Sequence, residues 1–216
     1  LQSGQCTAQA ASSDGRLSRF AVGYTAPAMP VESSDEELML RYGGGDAAAF
    51  DVLYARHRGG VFRYLLRQCG SRAAAEELVQ DIWLSLIQAR GRYRVEAKFT
   101  TWLYTLAHNR LVDHFRRHNG PQLVSIDEDG DDDPIELPAH ATAQPERQAQ
   151  AREQASALLR LVEALPAAQR EAFLLYEEGG LSLEQIAEVT GAGRETVKSR
   201  LRYALDKLRD GMKDHL

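Results

Sequence analysis

The sequence predicts an all-α protein: two small helical domains joined by a flexible acidic linker. Three observations carry this. Alternating β-branched runs, the signature of strands, are nearly absent. Ala, Leu, Glu, Gln and Arg recur with helical spacing over residues 35–117 and again over 152–213. Between those blocks lie Pro121, Pro134, Pro138 and Pro145 with the acidic cluster Asp127, Glu128, Asp129, Asp131, Asp132, Asp133 and Glu136, a self-repelling stretch with little to bury. The expected organisation is a disordered tail over 1–32, a first domain over 33–118, a linker over 119–150 and a second domain over 151–216.

Around Arg16, Arg19, Phe20-Ala21-Val22 and Ala26-Pro27-Ala28 the tail imitates a secretory signal, but Gly23, Tyr24 and Thr25 break its apolar part. It is read as a tail, with a native start expected at Met29 because residue 1 is Leu. Cys6 and Cys69 form no framework and no CxxC pair, which points to a reducing, cytoplasmic setting. No apolar run approaches the roughly 18 residues a membrane helix needs, so no membrane insertion is expected. The net charge is -5, yet the signs are segregated along the chain, so local charge is the guide to partners.

In the first block a helix is expected from Asp46 to Gln68, with Phe50, Leu53, Tyr54, Val61, Leu65 and Leu66 apolar and a bend at Gly59-Gly60. Ser71 precedes a second helix over Ala73–Gln88, where Leu78, Val79, Ile82, Trp83, Leu86 and Ile87 make a buried stripe and Glu77, Gln80, Asp81, Leu84 and Gln88 face elsewhere. A basic segment, Gly91 to Lys98, leads into a third helix over Phe99–Arg117. Its core side is Phe99, Trp102, Leu103, Leu106, Leu111 and Phe115, and its C-terminal end is strongly basic. Three such helices can enclose one small core.

The second block opens with a helix over Arg152–Ala164, and Pro166 then starts another that runs to about Glu178. Ser182-Leu183-Glu184-Gln185 is a capping box that marks the start of the next helix. Ala187 is small enough for a close helix crossing, Gly191 allows a positive φ at the turn, and Val197 and Leu201 pin the last helix to the core. This is the layout of a helix-turn-helix. The free face of its second helix carries Arg194, Lys198, Ser199, Arg202 and Tyr203, donors suited to phosphates and to base edges in a major groove.

Leu165-Pro166-Ala167-Ala168-Gln169-Arg170-Glu171, Gly180-Leu181-Ser182-Leu183-Glu184-Gln185-Ile186-Ala187 and Thr196-Val197-Lys198-Ser199-Arg200-Leu201 together resemble region four of the extracytoplasmic-function sigma factors of bacterial RNA polymerase. Gly45-Asp46-Ala47-Ala48-Ala49-Phe50, Ala75-Glu76-Glu77-Leu78-Val79-Gln80-Asp81-Ile82-Trp83 and Phe99-Thr100-Thr101-Trp102-Leu103-Tyr104 through Asn109 and Asp113 are similar to region two. The resemblance implies a transcription initiation factor. Glu77, Gln80, Asp81 and Leu84 would dock on core RNA polymerase. Arg92, Tyr93, Arg94 and Lys98, with Asn109, Arg110, Arg116 and Arg117, would recognise and melt the minus-10 element of promoter DNA. Arg194, Lys198, Ser199, Arg202 and Tyr203 would bind the minus-35 element, with Arg200 on phosphate. The resemblance also implies an anti-sigma factor as partner and a linker that passes through a basic channel of the polymerase as well as tethering the domains. Trp102 is assigned to packing. Gly193 stands where the family commonly has a capping Ser, and Arg194-Glu195 where small residues are frequent.

Enzyme motifs are missing: there is no GxxxxGK loop, no HExxH, no GxSxG and no paired cysteines, so neither catalysis nor a cofactor is expected. His114 and His118 have ligand spacing beside Asp113, but neighbouring arginines would repel a cation, so no metal is expected either. The rival reading is a helix-turn-helix repressor or a sigma-like decoy that does not recruit polymerase. A repressor needs its own dimer surface, and no heptad seam is present.

Overall fold

The computed structural model describes residues 33–119 and 145–213, with side chains over 33–118 and 150–213. The expected tail with its Met29 start, and most of the expected linker, lie outside the described residues. Among the described residues all regular structure is helical, in the order α1 (Asp35–Gly43), α2 (Ala47–Cys69), α3 (Arg72–Ala89), a 3-10 turn (Arg90–Arg92), α4 (Phe99–Asn119), α5 (Pro145–Glu163), α6 (Ala167–Glu177), α7 (Leu183–Thr190) and α8 (Arg194–Met212).

The first module is a four-helix unit, one helix more than the apolar stripes suggested. The added helix, α1, begins with a capping box in which Ser34 Oγ accepts from the Glu37 amide and Glu37 accepts from the Ser34 amide. It contributes Leu38, Met39 and Tyr42 to the core. It also serves α4: Glu36 Oε1 accepts from the Phe99 amide at 2.7 Å, placing a carboxylate at that helix's N-terminus. Asp46 caps α2 through the Ala48 amide, and Ser71 caps α3 through the Ala74 amide. Leu53, Val61, Leu65, Leu78, Ile82, Trp83, Leu86, Phe99, Leu103 and Leu111 are buried as their periodicity requires.

The second module is α5 to α8. α5 begins at Pro145, seven residues ahead of the expected Arg152. A proline is tolerated at the first helical position, and the following Glu-Arg-Gln-Ala-Gln-Ala run favours helix, so this proline opens an element. Pro166, the expected first residue of the next helix, is its N-cap, and α6 begins one position later at Ala167. Ser182 and Gln185 close the capping box of α7, Gly191 ends that helix at φ 64°, and Val197, Leu201, Ala204 and Leu208 bury one side of α8.

The two modules share one continuous apolar core. Tyr104 of α4 is at its centre: the side chain is 1% exposed, its hydroxyl donates to the Glu178 carbonyl at 2.8 Å, and its ring meets Tyr64 edge-on at 5.6 Å. Gln185 Nε2 donates to Thr101 Oγ1 at 2.7 Å, so the capping-box glutamine also ties α7 to α4. Around these lie an ion pair of Arg63 with Glu178 at 2.7 Å, one of Arg67 with Glu163 at 2.8 Å, and His108 Nδ1 at 2.7 Å from Glu171 Oε1. Burial, reinforced by the Glu171 carboxylate, pushes the Tyr64 hydroxyl well above the usual phenol range. Each neutral hydrogen bond here is worth on the order of 1 kcal/mol net, and the exposed ion pairs less.

The joint explains the glycine pair in α2. The helix continues through Gly59 and Gly60. A Cβ on Gly60 would lie 2.9 Å from both the Glu178 carbonyl and the Tyr104 hydroxyl, whereas a Cβ on Gly59 would meet only the Arg63 guanidinium. Gly59→Ala should therefore stabilise the protein by up to about 1 kcal/mol through helix propensity, while Gly60→Ala should destabilise it by about 1 to 3 kcal/mol through overpacking. Urea unfolding midpoints of the two variants check this; equal shifts would refute the packing role of Gly60.

Candidate polymerase and nucleic-acid interfaces

Three surfaces carry the residues singled out from the sequence. On α3 the core side is Leu78, Ile82, Trp83 and Leu86, and the opposite side presents Glu77, Gln80 and Leu84, with Asp81 half-buried beside them. Leu84 is 54% exposed, a large apolar side chain flanked by acids. That mixture suits docking better than solvation.

The second surface runs from the 3-10 turn along α4. Arg92, Arg94 and Lys98 are exposed. Tyr93 between them is not: it is 7% exposed and packs against Trp102 at 5.1 Å and Phe99 at 6.4 Å between ring centroids. In this arrangement its ring anchors the loop, and it offers no open stacking face. Its hydroxyl is buried without a hydrogen-bond partner, and burial next to Glu36 and Asp35 pushes its pKa up to about 12. Trp102 is half-buried in the same aromatic cluster, as packing requires.

Along α4, Asn109, Arg116 and Arg117 are exposed, while Arg110 is half-buried and donates to Ser85 Oγ at 2.9 Å. Arg116 pairs with Asp113 within the helix. Arg110 and Arg117 line a small cleft with Glu77 and Asp81 of α3 and with His114 and His118, so the acidic and basic surfaces meet at this cleft. The two imidazoles lie 4.1 Å apart, and His114 is held below the usual histidine range by burial and by His118.

The third surface is α8. Arg194, Lys198, Arg202 and Tyr203 are exposed, and Ser199 and Arg200 are half-buried. The Arg202 guanidinium lies over the Tyr203 ring at 4.9 Å from its centroid. Gly193 occupies the N-cap with no side-chain hydrogen bond, leaving first-turn amides for an anion such as a phosphate. Arg194 is already engaged: it pairs with Glu184 of α7 and, at 3.0 Å, with Glu195. That guanidinium holds the Glu184 carboxyl down at about 2. Sequence reasoning missed this partner because Glu184 enters there only as part of the Ser182-Leu183-Glu184-Gln185 capping box.

Comparison with known proteins matches the two modules separately and in chain order. The model of Sigma-70 region 2 matches residues 53–120, and that of Sigma-70 region 4 matches residues 155–208. The ECF RNA polymerase sigma factor SigM of Mycobacterium tuberculosis is 30% identical over 177 residues, covering 82% of this chain and 84% of its own. The chain belongs to the extracytoplasmic-function sigma factors. The RNA polymerase sigma factor CarQ of Myxococcus xanthus is 31% identical, over 80% of this chain and 94% of its own. The fold is also that of the sigma factor RpoE of Bartonella quintana, solved in complex with the anti-sigma factor NepR, at a TM-score of 0.56 and 20% identity over 76% of this chain and 96% of that one. As a sigma factor the protein is a transcription initiation factor and not an enzyme. Among its described residues no helix is long and apolar enough to cross a membrane.

The bond between Glu184 and Arg194 sets a pH response. The folded-state pKa of Glu184 lies below its ordinary value of 4.5, so its stabilising contribution is complete above about 4.5 and is lost as pH falls toward 2. Glu184→Gln should flatten the acid limb of stability in that window, and it should raise affinity for duplex DNA by leaving Arg194 with one carboxylate partner, Glu195, in place of two. Thermal unfolding across the window, with duplex titration at fixed salt, measures both.

Proposed function

We propose that this sigma factor binds core RNA polymerase through the α3 face of Glu77, Gln80, Asp81 and Leu84 and directs it to promoters. Region two recognises and melts the minus-10 element, with Arg92, Arg94 and Lys98 on the loop and Asn109, Arg110, Arg116 and Arg117 on α4. Region four holds the minus-35 element as duplex through Lys198, Ser199, Arg202 and Tyr203, with Arg200 on phosphate. Arg194 serves when its bond to Glu184 is given up. Tyr93 acts by anchoring the loop that carries its basic neighbours, and it contacts an unstacked base only if the loop rearranges. The setting is the cytoplasm, and an anti-sigma factor is the expected regulator.

The observation that carries this reading is the pair of matched modules in one chain, each with its charged face exposed. The free protein should bind promoter duplex weakly. Its net charge is acidic, and Arg194, Lys198 and Arg116 already face carboxylates, so three of the cations assigned to DNA must give up a partner before they displace counterions.

Transcription in vitro with core polymerase on genomic fragments tests the proposal: start sites should be selected only when this protein is added. Leu84→Arg should weaken binding to core at least about tenfold by putting a charge into the centre of a docking face. Lys198→Ala should leave core binding intact and reduce the salt dependence of minus-35 binding by about one phosphate contact. Core polymerase that ignores the protein would refute the proposal and favour a repressor or decoy.

A further inference from the structure

We infer that α1 is the positioning strut of the minus-10 loop: it grips that loop at both ends, and Glu36 is the positioning residue that sets the loop's exit into α4. The inference rests on the sigma reading above and adds residues that lie outside the surfaces assigned there. The loop needs such a support. Within residues 93–98 the backbone is held by a bond from the Glu96 amide to the Arg94 carbonyl at 3.0 Å, so the direction of Arg92, Arg94 and Lys98 depends on where the loop begins and ends. Lys98, the residue before α4, carries donors only and has no acceptor with which to cap that helix.

At the exit, Glu36 supplies the missing acceptor from another helix, 63 positions earlier in the chain, taking the Phe99 amide at 2.7 Å. At the entry, the Arg90 guanidinium lies over the Tyr42 ring at 5.4 Å from its centroid and donates to the Tyr42 hydroxyl at 3.4 Å. The last residue of α1 is Gly43, where a Cβ would stand 3.0 Å from the Arg90 carbonyl, so the two backbones meet too closely for a side chain to enter without displacing the turn. The strut is itself fixed to α2, because Asp35 meets His57 at 2.7 Å and Arg56 at 2.8 Å. Three consecutive acids thus hold three different things: Asp35 holds α2, Glu36 holds α4, and Glu37 closes the capping box of α1. Tyr93, between the two grips, packs by its ring against Phe99 and Trp102. A reading loop works only if its donors are held to within about half an ångström, and here that precision comes from a helix that carries none of them.

Single-strand binding by the polymerase complex reads this directly. The probe is a fluorescent oligonucleotide carrying the non-template strand across the minus-10 element of a promoter mapped by transcription in vitro, titrated into core polymerase saturated with the full-length protein. Glu36→Ala, which leaves the Phe99 amide without its acceptor, should weaken binding about tenfold. Glu36→Gln keeps an oxygen at the same place and should bring back most of the affinity. Removing a negative charge would by itself strengthen binding to DNA, so a fall with Ala and a rescue with Gln separate position from charge. Gly43→Ala, which changes no charge, should weaken binding about threefold by displacing the Arg90 carbonyl. In all three variants the affinity for core polymerase should stay within about twofold of wild type, a split that a general loss of stability would not produce. Wild-type single-strand binding by Glu36→Ala, no rescue by Glu36→Gln, or a fall matched by an equal fall in core affinity would overturn the strut. If Glu36→Ala does not fold, Gly43→Ala decides alone, and wild-type binding there overturns it. Wild-type protein that gives core polymerase no selected start sites would instead sink the sigma reading, and the strut with it.

Discussion

The structure depends on a single phenol. Tyr104 leaves α4, passes the bare backbone of Gly60, and ends on the carbonyl that finishes α6, so one side chain belongs at once to the core of region two and to the joint with region four. A close-packed interior accepts such a wedge only where a facing side chain is missing. The glycines at 60 and 179 are the consequence. Everything else at the joint is arranged around that contact: Tyr64 meets the ring edge-on, Glu171 answers Tyr64 and His108, and Glu178 turns its carboxylate to Arg63.

The functional surfaces follow from the same economy. Each helix turns one side to the core, and the packing leaves the other sides of α3, α4 and α8 open to solvent. On α3 the free side mixes acids with an exposed leucine; on α4 and α8 it is basic. Intramolecular pairs then temper the basic faces. Arg194 held by Glu184 and Arg116 held by Asp113 lower the positive field in front of those faces.

Much of this could be read from residue order. The helices of both blocks, the Ser182 capping box, the turn at Gly191 and the buried Val197 and Leu201 all rest on interactions within four residues or on a 3.6-residue period. The exposed faces of α3 and α8 followed as the complement of the buried ones. α1 was legible in principle, since Ser34 and Glu37 form the same kind of capping box as Ser182 and Gln185.

Tertiary structure decided the rest. Tyr93 has a basic loop on either side and reads as a stacking residue, yet packing against Phe99 and Trp102 buries it; no local signal separates the two outcomes. Gly59 and Gly60 read as one weak point in a helix, and only the approach of Glu178, more than a hundred residues away, distinguishes them. The sequence by itself determined helices, caps, the turn and the faces that carry charge, because those depend on near neighbours. Which residues join the two modules, and which cations are already paired, depended on groups brought together across the chain by burial of a common core.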